Sequence, residues 1–340
     1  MIFRCKNCGG NVVYSPEHKK MYCPYCDSLD SEERSEGNEN IGQPDSHGKS
    51  NFICPSCGGE FILDKFTSAT RCPYCDNYII VGERTSGKYT PKTIIPFQIG
   101  KEAVKKSIRD NFKKYKFAPT DFLSEARLET MEGHYVPFWF YDYDSNYKFR
   151  GEGTKLRSWR SGDTEYTETS YYDIVRDMNI GFDAIPADAS VKMPDEVMDL
   201  MEPYGYEQLE AFKPEYMSGF MAEEYNMESD LIKSRADMKL RRDADSIIKS
   251  TYSGYSSVHT TQNNLTVKNE NASFGLLPVW KYDYTYNDTS YPFYVNGQTG
   301  KIVGTVPLSK KKIWSYAATW WGVLTALMVV INLIITWSHT

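Results

Sequence analysis

Eight cysteines carry the clearest chemistry in this chain, and they are written as one frame used twice. Cys5, Cys8, Cys23 and Cys26 recur as Cys54, Cys57, Cys72 and Cys75, each displaced by 49 positions. Both copies read CxxC, then 14 residues, then CxxC, and their surroundings repeat as well: FRCKNCGG answers FICPSCGG, and YCPYCD answers RCPYCD. A CxxC turn sets two thiolates on one side of a tight loop, and a second such turn across a short hairpin completes a tetrahedron. Four soft ligands with no open position suit a structural ion, so the sequence predicts two Zn²⁺, one per frame. Iron fits the same four sulfurs, as in rubredoxin-like knuckles. CPYC alone is also a dithiol redox sequence, but that motif has no second CxxC 14 residues upstream. Met1 runs almost directly into Cys5 with no apolar leader, which favours metal over secreted disulfides.

Catalytic constellations are not evident. The histidines, His18, His47, His134, His259 and His339, are scattered, and HExxH and GxSxG do not occur. Gly48-Lys49-Ser50 resembles the tail of a phosphate loop, but Gln43 stands where that loop needs its first glycine. The acid pairs Asp142/Asp144 and Glu223/Glu224 lack partners for acid–base work. A non-enzymatic protein is therefore expected, and a pocket gathering Asp142, Asp283 and a histidine of shifted pKa would reverse that expectation.

The elements that must hold these residues follow from patterning. Ribbons are predicted at 1–28 and 51–82, separated by a polar, flexible linker over 29–50. The chain has 26 tyrosines, clustered in alternating segments that favour antiparallel sheet. VPFWFYDY (136–143) is echoed by LPVWKYDY (277–284), 141 residues later. Each echo follows a helical stretch, so the body reads as a duplicated helix and antiparallel-sheet unit, α+β in class, at 92–180 and 226–309, with an irregular connector at 181–225. Asn296-Gly297 signals a tight hairpin turn. Over 101–116, Val104, Ile108, Phe112 and Tyr115 mark the apolar side of a helix whose other side is basic. Such a face is either solvated or meets anionic lipid or RNA.

The segment 313–337 has no charge and exceeds the roughly 20 residues that cross a bilayer core. Lys310, Lys311 and Lys312 precede it, and only Ser338, His339 and Thr340 follow. One C-terminal transmembrane helix is expected, a single-pass tail anchor that leaves the N-terminal bulk in the cytoplasm.

IPFQI with its basic helix, GHYVPFWFYDYD, PEYMSGFMAEEY and the 277–309 stretch together resemble a family of zinc-ribbon proteins labelled TFIIB-type zinc-ribbon-containing or primosomal protein N′ (replication factor Y). The resemblance implies metal ligation by Cys54, Cys57, Cys72 and Cys75, and the internal repeat adds Cys5, Cys8, Cys23 and Cys26. It implies no motor, since a helicase needs a Walker lysine and paired motor domains that this chain lacks. The expected function is a membrane-anchored zinc-ribbon adaptor that recruits a protein partner. Nucleic-acid binding in transcription or replication is the first alternative, disfavoured by a net charge of −6. A ligand-binding or enzymatic aromatic groove in the duplicated sheet is the second.

Overall fold

A computed structural model describes residues 1–35, 41–42 and 48–338. The first ribbon contains β1 (Ile2–Cys5), β2 (Val13–Ser15), β3 (Lys20–Tyr22) and β4 (Glu32–Ser35), and the second contains β5 (Ser50–Ile53), β6 (Glu60–Leu63), β7 (Thr67–Arg71) and β8 (Tyr78–Ile80). Their knuckles are built alike. The Cys5 amide donates to the Gly10 carbonyl at 2.8 Å, and the Cys54 amide to that of Gly59 at 2.9 Å. Gly9 and Gly58 have φ of 72° and 74°, while Asp27 and Asp76, just after the second knuckle, have φ of 57° and 58°. Glycine takes that left-handed turn without steric cost, and aspartate is among the few other residues that tolerate it.

The linker expected over 29–50 is not wholly free. Its Glu32–Ser35 lies antiparallel on β1, with Glu32 opposite Cys5, because β1 otherwise presents an unpaired edge that polar side chains can cover without burial. Residues 36–40 and 43–47 of that linker lie outside the described residues.

The body begins with β9 (Thr93–Ile94), α1 (Lys101–Phe112) and α2 (Glu125–Leu128), then β10 (Glu132–Ser161) and β11 (Thr164–Asp188). The connector holds α3 (Asp195–Met201) and β12 (Glu210–Ala211); β13 (Met221–Glu223), α4 (Ser229–Ser250), β14 (Ser257–Tyr286), β15 (Thr289–Asn296) and β16 (Ile302–Gly304) follow. β10 and β14 pair antiparallel through the centre, with Val136 opposite Leu277. These two residues are equivalent in the 141-residue repeat, so a local two-fold axis passes between them. The flanking strands obey it: β13 joins β10 in parallel at His134 and Tyr135, and β9 joins β14 in parallel at Gly275 and Leu276.

Each unit exchanges its leading half with the other. The α1 region precedes β10 in the chain but serves β14, where the Trp280 Nε1–H donates to the Ile99 carbonyl at 2.9 Å and the Tyr282 hydroxyl to that of Phe122 at 3.0 Å. The α4 region precedes β14 but serves β10, where the Trp139 Nε1–H donates to the Met227 carbonyl at 2.9 Å and the Tyr141 hydroxyl to that of Ser229 at 2.6 Å. The third pair agrees, with Tyr143 donating to Asp237 at 2.9 Å and Tyr284 to Asp121 at 2.8 Å. Burial raises these phenols above the ordinary tyrosine range, which keeps them protonated donors. On the opposite face the connector supplies Met193, Met198, Met201 and Tyr204 as a lid over Val136, Phe138, Leu277 and Val279. Each such buried side chain contributes about 1.5–3 kcal/mol.

Two local expectations change. The hairpin expected at Asn296-Gly297 forms between β15 and β16, but its turn is longer than two residues: the Asn296 side chain accepts from the Gln298 and Thr299 amides and the chain returns at Lys301, whose carbonyl accepts from the Asn296 amide. The tight turn falls instead at Asn287-Asp288, where φ is 49° and 58°. The basic face of α1 is largely neutralised. Lys105 is buried with Glu102, Glu125 and Glu129 at 2.5–2.7 Å, Lys101 pairs with Glu129 at 3.2 Å, and Arg109 pairs with Glu125. Burial alone would lower Lys105, but the three carboxylates hold it above its ordinary value.

The chain ends in α5 (Lys310–Ser338), whose segment Lys310–Ile334 is long and apolar enough to cross a membrane and is not buried in the protein. Its root is fixed to the body, since the Ser309 amide donates to the Phe117 carbonyl at 2.8 Å and Tyr316 meets the Phe117 ring edge-on at 5.4 Å.

Candidate metal centres

Cys5, Cys8, Cys23 and Cys26 form one group, Cys54, Cys57, Cys72 and Cys75 another, and within each the four sulfurs lie within 4.8 Å of one another. Four sulfurs at about 2.3 Å from a tetrahedral zinc stand about 3.8 Å apart. The Cys54–Cys75 and Cys57–Cys72 sulfurs are 3.8 Å apart, and the Cys5–Cys26 and Cys8–Cys23 sulfurs are 3.6 and 3.5 Å apart. None of the eight is in a disulfide. The donor set and spacing fit one zinc ion per group.

Backbone amides and hydroxyls aim at these sulfurs. The Ser56 and Gly59 amides approach Cys54 and Cys57 at 3.4 Å, and the Gly59 amide draws Cys57 below the ordinary thiol range. In the first ribbon the Ser28 and Ser31 hydroxyls stand 3.2 and 3.3 Å from the Cys5 sulfur. Ser28 first, and then Ser31, lowers that thiol to about 5. Asn77 occupies the position of Ser28 in the second ribbon and donates to Ser56 instead, at 2.6 Å.

Both ribbons are built into the body. In the first, the Tyr14 amide donates to the Ser218 carbonyl at 2.8 Å and the Ser218 hydroxyl to that of Val12 at 2.6 Å. Phe3, Val12, Tyr14 and Met21 enter the same core as Tyr135 and Trp280. In the second, β7 lies antiparallel on β13, with Ala69 opposite Ala222, and so extends the main sheet. What remains exposed is the knuckle side of each centre: Cys8, Cys26 and Cys57, with Tyr25 and Tyr74 at 71% and 66% exposure. Those two rings close over Gly10 and Gly59, where an added Cβ would come within 2.5 Å of the ring.

A cleft of about 450 Å³ separates the second ribbon from the body and is lined by His134, Lys192, Glu223 and Lys281. Burial first, then Lys281, lowers His134 to about 4, so it is neutral at pH 7. Lys281 pairs with Asp283 at 2.9 Å, and Lys192 with Glu223 at 2.9 Å. Asp142 is elsewhere, accepting from the Ala184 amide at the strand irregularity between β10 and β11. The constellation of Asp142, Asp283 and a shifted histidine is thus only partly assembled.

The feature that the sequence reading missed is a long arm, because β10 and β11 run on together to a turn at Gly162-Asp163. The alternation TEYTETSYY and that glycine were its signals.

The chain is 40% identical over 333 residues to the uncharacterized protein YdjG of Bacillus subtilis (strain 168), taking in 98% of this chain and 96% of that protein. No family model matches the chain. No solved structure matches it.

Proposed function

The chain belongs to the family of Bacillus subtilis YdjG, and from this footing we propose that it is a membrane-anchored, non-enzymatic adaptor whose two zinc knuckles dock a protein partner. The coarser part of this reading rests on two Cys₄ groups and one apolar C-terminal helix, which fit a membrane-anchored zinc-binding protein. The observation that carries the finer part is the attachment of the ribbons. Each is fixed to the sheet by backbone hydrogen bonds while its knuckle, with Tyr25 or Tyr74, faces solvent. A flexible tether would search for partners. These fixed knuckles offer two rigid tyrosines at a set separation, with little side-chain entropy to lose on docking.

Four sulfurs per ion leave no open coordination position, which supports a structural rather than a catalytic metal. The nucleic-acid alternative leaned on the basic face of α1, and Glu102, Glu125 and Glu129 now offset that face. Lys310, Lys311 and Lys312 at the root of α5 favour a cytoplasmic body by the positive-inside rule.

The test is affinity capture with detergent-solubilised full-length protein beside Tyr25→Ala/Tyr74→Ala, with zinc measured on both. Loss of a bound protein at unchanged zinc content supports the adaptor. Loss of bound nucleic acid instead would promote the alternative, and an unchanged set of captured molecules would reduce the ribbons to fold-stabilising parts.

A further inference from the structure

The local two-fold axis that relates the two units does not extend to the hairpin that follows each central strand. In the second unit β14 turns into β15 directly at Asn287-Asp288, while in the first the equivalent hairpin continues past Ser145, paired with Ile180, out to Gly162. Residues 146–179 therefore have no counterpart in the other unit. The base of this arm is covered by α4 and the turn after it, with Ala244, Ile248 and Tyr252 packed over Tyr147, Phe149 and Ile174. Past Gly153 and Tyr255 that cover ends.

Tyr255 still reaches Tyr172, with ring centres 5.7 Å apart, and Lys155 lies 5.2 Å from the Tyr255 ring centre. Beyond them the same face continues bare, with Arg157 and Trp159 on β10 and Tyr166 and Glu168 on β11. Trp159 and Tyr166 stack at 5.7 Å, each nearly half exposed, and the Arg157 guanidinium lies 5.8 Å from the Trp159 ring centre. In the register Arg157 stands opposite Glu168, and Trp159 opposite Tyr166. A two-stranded ribbon this exposed has little stability of its own, and its aromatic face is unpartnered.

We propose that this face is a homotypic docking surface, occupied by the same face of a second copy anchored in the same membrane. Copies in one bilayer share their up–down orientation, so a two-fold axis between them runs along the bilayer normal. With the hairpin standing along that axis, two facing ribbons set β10 of one copy over β11 of the other without changing level. Arg157 then meets Glu168 of the second copy, and Trp159 meets Tyr166 of the second copy, each contact occurring twice. An axis across the strands, centred between Lys155 and Arg157, would instead set Lys155 of one copy against Arg157 of the other, which like charge disfavours. The face is small, and confinement to one bilayer supplies the effective concentration that its area does not. The inference goes beyond the adaptor reading, since it needs the membrane anchor but neither zinc knuckle.

The test is energy transfer between donor- and acceptor-labelled copies of the full-length protein, tagged after Thr340 and reconstituted at low density in phosphatidylcholine vesicles. Wild type should transfer above the level of randomly placed copies. Arg157→Glu alone and Glu168→Arg alone should each fall to that level, because both contacts become like-charged. Vesicles mixing donor-labelled Arg157→Glu with acceptor-labelled Glu168→Arg should recover the wild-type signal, since opposite charges again meet at both contacts, and recovery also shows that both variants fold. Wild type at the random level, single variants that keep their transfer, or mixed vesicles that stay dark would each overturn the proposal.

Discussion

Val136 lies directly opposite Leu277 across the central strand pair, and the two occupy the same position of a sequence written twice. The body is therefore two units wound through each other about an axis at that pair, each borrowing the other's helix. This exchange accounts for the hydrogen-bond partners of Trp139, Tyr141 and Tyr143 and of their counterparts Trp280, Tyr282 and Tyr284.

Trp139 and Trp280 should behave as a matched pair. Each indole N–H donates at 2.9 Å to a carbonyl of the exchanged segment, Met227 or Ile99. Trp139→Phe and Trp280→Phe should each cost about 1–3 kcal/mol in denaturant unfolding, since each leaves a carbonyl unpaired and removes ring area. A neutral result at either site would argue against the equivalence.

Gly297 admits no side chain. A Cβ there would lie 2.6 Å from Cδ1 of Phe97 and 2.8 Å from Cβ of Pro278, both in the packed centre. Gly297→Ala should destabilise the protein by about 1–3 kcal/mol through overpacking, read as a fall in unfolding temperature. Gly254→Ala, which meets nothing within 4 Å, is the control.

Removing metal from one ribbon should be felt throughout the body. Phe3, Val12 and Tyr14 share a core with Tyr135 and Trp280, so Cys8→Ser should lower zinc from two ions per chain to one and also lower the main unfolding temperature by several degrees. A separate early transition with the main one unmoved would show that the ribbon is energetically independent.

His134 should make the fold acid-sensitive in a defined window. Its folded pKa, about 4, lies below the ordinary 6.5, so the unfolded chain binds its proton first. The stability associated with the neutral ring is full above pH 6.5 and is lost as pH falls toward 4, by about 3 kcal/mol at most. Asp188, raised to about 6 by burial, acts in the opposite sense between its ordinary 3.8 and that value. The difference between wild type and His134→Gln isolates the histidine, and equal pH profiles for the two would refute the assignment.

Much of this architecture was legible. The 49-residue cysteine frame gave the two four-cysteine groups, because spacing within a knuckle is local and the chain alone fixes it. The 141-residue echo marked the two strands, β10 and β14, that pair at the centre of a single sheet. The exchange between the two units was not legible, since pairing Thr93 with Gly275 rather than with β10 is a choice made 182 residues away. The α1 face misled for the same reason: Lys105 reads as solvated until Glu125 and Glu129 fold back against it. Tyr25 and Tyr74 sat inside the CPYC motifs, but exposure is a property of the assembled surface.

The most direct test of the account is zinc-edge X-ray absorption on the full-length protein in detergent, with metal content measured on the same sample. The account predicts two zinc ions per chain, each in a shell of four sulfurs at about 2.3 Å. A shell containing oxygen or nitrogen, or a single metal ion per chain, would contradict the closed structural centres on which the adaptor reading depends, and iron in four sulfurs would overturn the zinc assignment.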